Sequence, residues 1–176
     1  FLLKFNWADS NKAGARLENI FIDIGGDIFA LGVNENGKPW RVGITHPKSD
    51  LLNTHDIHGI ASITNGALAT SGNYFNYKQN KDEKYTHIIN PKSGYSIQSD
   101  LLSVTVFMDN SISADGLATA VYAAGLDNGL SLIESIPDAE VMIIQQEDNG
   151  DLKEYFSSDF IIKTKYKSVK NKWKIT

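Results

Sequence analysis

The sequence predicts an α+β fold, with a largely antiparallel sheet and the helices packed late in the chain. Three observations lead there. Between residues 19 and 108, short β-branched and aromatic runs alternate with turn chemistry, and no helical period intervenes. One long stretch of small and apolar residues without proline, 111–126 (SISADGLATAVYAAGL), is followed by a second helical piece at 128–136. Strand sequence then returns at 139–145 (AEVMIIQ) and 152–156. Strands that do not alternate with helices argue against a parallel βαβ sheet.

Taken in order, residues 1–18 lack a decisive period, and a short helix is expected at 12–17. NIFIDI at 19–24 reads as a buried strand and IFALGV at 28–33 as a second, interrupted by Gly25, Gly26 and Asp27. A glycine pair within strand sequence marks a bulge or a close approach of backbone or ligand. Asp27 is accordingly either a ligand-facing acid or a bulge residue. No G-x-G-x-x-G leads into a helix, so this is not a dinucleotide fingerprint. NENGK at 34–38 carries hairpin chemistry, with 40–44 as the return strand. The loop at 48–59 is polar. His46, His55 and His58 invite a metal reading there, but H-x-x-H on a loop without a further ligand in register is a weak signal.

Residues 59–65 and 67–70 read as short strands of a meander around Gly66. Thr70, Ser71, Gly72, Asn73 and Tyr74 follow, either an anion-binding nest or ordinary turn residues. NKDE at 80–83 is a hairpin tip, and 84–90 is a return strand carrying His87 just before a Pro/Gly turn at 90–95. LLSVTVFM at 101–108 is the strongest strand, and Gly125 is the expected stop of the helix after it. EDNGD at 147–151 is a further hairpin tip.

A length of 176 residues suits one compact domain or a large piece of a two-lobed one. The net charge of −4 argues against general nucleic-acid binding. A solvated basic tail is expected at 161–176, with Lys163, Lys165, Lys167, Lys170, Lys172 and Lys174. The absence of cysteine excludes disulfides, thiolate nucleophiles and zinc–thiolate sites. No apolar run is long enough for a membrane span, and no signal peptide is visible. Because the chain begins at Phe1, a processed or truncated product is expected.

Chemistry concentrates on the helix. Asp115 and Thr119 stand four apart, so a helix puts both oxygens on one face. Ser111 or Ser113 is the expected N-cap, placing that face near the positive helix end. A carboxylate and a hydroxyl walled by Ala114, Gly116 and Ala118 suit a hard cation such as Mg²⁺ beside a substrate phosphate. The alternative is a capping or first-turn acid with a packed threonine.

Together these clusters resemble the ApbE family of FAD:protein FMN transferases. The resemblance rests on Gly25-Gly26-Asp27-Ile28 with Ala30-Leu31-Gly32, on residues 37–44 (GKPWRVGI), on Thr70-Ser71-Gly72-Asn73-Tyr74, on residues 87–95 (HIINPKSGY), and on residues 114–120 (ADGLATA). Five motifs in order span roughly 19–160.

The resemblance implies a T-fold-like architecture and Mg²⁺-dependent transfer of FMN from FAD to a Ser or Thr of a partner flavoprotein, releasing AMP. It implies Asp115 and Thr119 as metal ligands, and His87 with Asp115 as catalytic residues. Gly25, Gly26, Asp27, Arg41, Thr70, Ser71, Gly72, Tyr74, His87, Ile88 and Ile89 would line the FAD site. It also implies a place on the periplasmic side of a bacterial cell envelope, anchored as a lipoprotein through a missing N-terminus.

Three departures stand out. Asn90 replaces the usual acid after His-Ile-Ile, and Phe75-Asn76-Tyr77 replaces an expected arginine. The family's N-terminal half, with further flavin contacts, is not found. Residues 19–160 thus read as the C-terminal flavin transferase region, with 1–18 as the end of the missing half. Two other outcomes share this pocket: a metal-dependent FAD pyrophosphatase giving FMN and AMP, and a flavin-binding module without catalysis.

Overall fold

The computed structural model describes residues 2–6, 18–49, 56–72, 77–80, 83–86, 88–90 and 92–169. Twelve strands and three helices follow in chain order: β1 (Leu2–Asn6), β2 (Asn19–Ile24), β3 (Asp27–Leu31), β4 (Trp40–Thr45), β5 (Ile57–Ile63), β6 (Gly66–Gly72), β7 (Tyr77–Asn80), β8 (Glu83–Thr86), β9 (Leu101–Met108), α1 (Ser111–Ala124), α2 (Leu126–Glu134), β10 (Glu140–Gln146), β11 (Leu152–Phe156), α3 (Phe160–Thr164) and β12 (Lys167–Ser168). A seven-stranded sheet has the order β1-β2-β3-β6-β9-β10-β11, and a three-stranded sheet the order β12-β5-β4. β7 and β8 form a separate ribbon. Every described pairing is antiparallel, so the predicted α+β class is the observed one.

Strand side chains alternate between faces, and the large sheet uses that to build two cores. On one face Ala67, Ala69, Val104, Val106, Val141 and Ile143 pack under Ala114, Ala118, Val121 and Tyr122 of α1 and Ile133 of α2. The alanines of α1 let it lie close to β6 and β9. On the other face Phe21, Ile28, Ala30, Leu68, Met142 and Ile144 meet Trp40, Val42, Ile44, Ala61 and Ile63 of the small sheet, with Phe160 and Tyr166. β10 is buried on both sides over residues 141–144, which explains its apolar run VMII.

Several local expectations give way to this layering. Gly25 and Gly26 are not a bulge. Both have positive φ (67° and 100°), and Ile24 pairs with Asp27, so they form the two-residue turn of a β2–β3 hairpin. The 34–38 segment does turn, with the Gly37 N–H donating to the Asn34 carbonyl at 2.9 Å. It is not the tip of a hairpin, however: β3 pairs with β2 and β6, while β4 pairs with β5 in the other sheet. The expected 59–70 meander fails in the same way, because β5 and β6 belong to different sheets. Gly66 begins β6 at φ 124°, where a Cβ would lie 2.7 Å from the Met108 carbonyl oxygen, so no side chain fits.

β1, which the sequence did not signal, pairs with β2 over its whole length. The helix expected at 12–17 lies outside the described residues. The basic segment does not begin as a solvated tail: Thr164 and Tyr166 are buried, and β12 pairs with β5. Lys163 reaches the buried Glu140 at 3.1 Å, and Glu140 also accepts from the Ser157 hydroxyl at 2.6 Å. Lys170, Lys172 and Lys174 lie outside the described residues.

Candidate functional site: an acid and hydroxyl cluster between helix α1 and the sheet

β9 runs through Asp109 and Asn110 directly into α1, so the strongest strand fixes where the helix starts. The N-cap is Asn110, whose Oδ1 accepts from the Ser113 N–H at 2.9 Å; neither Ser111 nor Ser113 caps the helix. Asp115 is therefore the fifth helical residue. The first turn holds no acid, so Asp115 is not a first-turn capping acid. Its side chain is exposed while Ala114 and Ala118 face the core. Thr119, one turn on, is half-buried, and its Oγ1 lies 2.9 Å from Oγ of Ser71 on β6.

Alternation brings a second acid to the same side. Ile28 faces the small sheet, so Asp27 and Phe29 face the helices, and Phe29 packs on that core. The carboxyl of Asp27 is held above the ordinary carboxylate range, first by burial and then by the negative charges of Asp115 and Asp23. No ion pair or hydrogen bond engages the side chain of Asp27 or Asp115 among the described residues. A Cβ placed on Gly25, Gly26 or Gly116 would meet nothing within 4 Å, so the surface is open around both acids. Asp27 is thus within electrostatic reach of Asp115, Thr119 stands one turn on from Asp115 and touches Ser71, and all four side chains offer oxygens.

Other predicted residues fall elsewhere. Thr70 and Ser71 are neighbours in a strand and point to opposite faces, so they do not form one nest. The Thr70 Oγ1 meets that of Thr105 at 2.9 Å, across the β6–β9 pair and away from α1. Arg41 is exposed on β4, beside a cleft of about 280 Å³ lined by Phe21, Asp23, Ile28, Trp40, Arg41, Val42 and Gly43. That cleft opens on the small-sheet side. Ile88 is buried, and Ile89 is 52% exposed and bridges to Ser96. Asn90 organises its turn: its Oδ1 accepts from the Lys92 N–H at 2.9 Å, and its carbonyl from the Gly94 N–H at 2.8 Å. His87 and Tyr74 lie outside the described residues.

The histidine loop has a different use. His58 Nε2 lies 2.6 Å from Glu154 Oε1, which also accepts from the Tyr166 hydroxyl at 2.8 Å. The His46 ring lies 5.4 Å from that of His58, tilted by 50°, and its Nδ1 accepts from the Lys48 N–H at 3.2 Å. Burial lowers the affinity of His46 for a proton. Among the described residues no group of three or more His, Cys, Asp or Glu side chains is arranged to hold a metal, and His55 lies outside them. This clasp ties β5, β11 and the segment before β12 together. Its members are 96 and 12 residues apart, beyond any spacing rule.

The fold and site define a mixed α+β domain whose oxygen-rich site lies against the early turns of a helix. A family model described as the ApbE family matches residues 10–143, and the chain belongs to that family. Among curated relatives, the FAD:protein FMN transferase of Vibrio cholerae is 37% identical over 144 residues, covering 82% of this chain and 42% of that protein. The enzyme of the same name from Haemophilus influenzae is 35% identical over 133 residues, covering 76% and 38%. The flavin transferase ApbE structure from V. cholerae superposes with a TM-score of 0.68 at 36% identity, covering 82% of this chain and 44% of that one. The apo flavinyl transferase ApbE of Pseudomonas stutzeri gives 0.68 at 28% identity, covering 84% and 44%. The chain spans about two fifths of the length of these relatives.

Proposed function

We propose that this chain carries the helix α1 part of the catalytic site of a Mg²⁺-dependent FAD:protein FMN transferase. The observation behind the reading is the meeting of Asp115 and Asp27 with no compensating cation among the described residues, beside the Thr119 hydroxyl. A carboxyl whose ionisation is made costlier by burial and by a second acid nearby marks a locus where positive charge is favoured. The donors fit Mg²⁺, which takes oxygen ligands and is commonly held by one or two carboxylates plus substrate phosphates. Asp115 and Thr119 would hold it, and when bound it would neutralise charge on the pyrophosphate of FAD.

In the proposed reaction the acceptor's Ser or Thr oxygen bonds to the phosphorus of the FMN half, the P–O–P link breaks and AMP leaves. His87, by family resemblance, takes the acceptor's hydroxyl proton. α1 keeps Asp115 and Thr119 on one face, one turn apart, and Ala114 and Ala118 on the adjoining face pack onto the sheet and fix the helix there. The open surface beside Gly25, Gly26 and Gly116 leaves room for the dinucleotide. Positioning and electrostatics carry most of such a phosphoryl-type transfer.

The test is to incubate the intact protein with FAD, with and without Mg²⁺, in the presence of candidate flavoproteins, and to follow products by mass. Transfer predicts AMP together with an acceptor heavier by FMN, only with Mg²⁺. Free FMN with AMP and no modified protein would instead identify a pyrophosphatase. Bound FAD with no turnover at saturating Mg²⁺ would leave a binding module.

A further inference from the structure

We infer that Ser71 is a positioning residue for Thr119: it accepts the Thr119 hydroxyl hydrogen and so leaves the Thr119 lone pairs for a cation. This rests on the reading of Asp115 and Thr119 as metal ligands. A hydroxyl has one hydrogen and two lone pairs, so where the hydrogen goes decides what the oxygen can offer. Hydroxyls inside helices commonly donate to the carbonyl four residues back. Two described residues do so: the Thr164 hydroxyl donates to the Phe160 carbonyl at 2.6 Å, and that of Ser131 to the Asp127 carbonyl at 2.9 Å. Thr119 differs from these two, since its hydroxyl lies 2.9 Å from Ser71 Oγ on a neighbouring strand, 48 residues away.

Ser71 Oγ has no other partner among the described residues, so its acceptor capacity is open to Thr119. Its own hydrogen stays available to an anionic oxygen of the substrate. The Ser71 Cβ is set on the helix face by strand alternation, and its height along the strand by the pairing with Val104. Partners that orient a metal ligand from behind typically govern affinity by about 10–100-fold. Ser71 thus acts through Thr119 and needs no contact with the metal.

The experiment measures Mn²⁺ binding to the intact protein by loss of the free-ion EPR signal. ADP, the part of FAD without the flavin, is present throughout, and melting curves verify folding. Asp115→Asn and Thr119→Val should lose binding. Ser71→Ala should weaken it about tenfold, and Ser71→Thr, which keeps a hydroxyl and suits a strand, should stay within about threefold. Unchanged binding in Ser71→Ala, with Asp115→Asn still defective, would overturn the role of Ser71 alone. Equal weakening in Ser71→Ala and Ser71→Thr would assign the effect to strand packing and overturn it too. If Asp115→Asn binds as the unaltered protein does, the metal placement fails and this inference falls with it.

Discussion

The two faces of the large sheet carry polar groups of opposite character. On the small-sheet face, His58, Glu154 and Tyr166 satisfy one another, and Glu140 is engaged by Ser157 and Lys163. On the helix face, Asp27 and Asp115 stand near each other with no countercharge among the described residues. Both sets lie where chain segments converge, and both would look alike in a sequence as scattered acids and hydroxyls. The difference is electrostatic closure. Closed networks hold elements together, whereas an open pair of like charges costs the folded state something and gains only when a ligand arrives.

If that contrast is right, substitutions on the two faces should have opposite profiles. The largest effect belongs to Asp115→Ala, expected to cut Mg²⁺-dependent transfer by the intact protein about 10²–10³-fold while barely altering its melting temperature. Full activity in that variant would sink the metal assignment. Glu154→Gln should do the reverse, lowering stability by about 1–3 kcal/mol at neutral pH and sparing Mn²⁺ binding. The hydrogen bond from His58, more than that from Tyr166, holds the carboxyl of Glu154 below its ordinary range. Its stabilisation is therefore present above the unfolded-state pKa of about 4.3 and is lost as pH falls through the lower folded value. Denaturation curves of the variant and the unaltered protein should converge in acid.

The smallest effect is that of Asp27→Asn without metal. Because the folded carboxyl titrates above its unfolded value, charging it destabilises the fold as pH rises through that range. The amide should therefore raise stability at neutral pH, by less than about 1 kcal/mol for a group that solvent still partly screens, and should have no effect at pH below the unfolded pKa. Adding Mg²⁺ should reverse the order of the two proteins. A loss of metal-free stability in Asp27→Asn would erase the contrast between the faces.

How much of this was legible in advance depended on whether the determinant was local. The β9–α1 unit, with Gly125 as its stop, was readable because strand pattern, helix pattern and terminator lie in one stretch. Asp115 and Thr119 were placed on one face by a four-residue spacing that any helix enforces. The turns at 34–38 and around Gly66 do not close the hairpins their sequence suggests, because turn chemistry fixes a change of direction without naming the sheet the next strand joins. The Gly25-Gly26 turn could have been read, since two such residues between β-branched runs are a type I′ signal. Asn110 takes the cap rather than Ser111 or Ser113, because all three are capping residues and the end of β9 decides which one starts the helix. The bonds from Ser71 to Thr119 and from His58 to Glu154 were out of reach, because each depends on a strand order set by the whole core.

The glycine that opens β6 has a consequence for how this domain can change. Gly66 is wedged against the carbonyl of Met108, so that end of the strand cannot slide. From there the chain counts by parity: odd positions 67, 69 and 71 serve the helices, and even positions 68 and 70 serve the other layer. Deleting one residue between 67 and 70 would not shorten the reach of Ser71 so much as send it through the sheet to the wrong side. Lineages carrying this fold should therefore accept length changes before Gly66 far more readily than within the five residues after it.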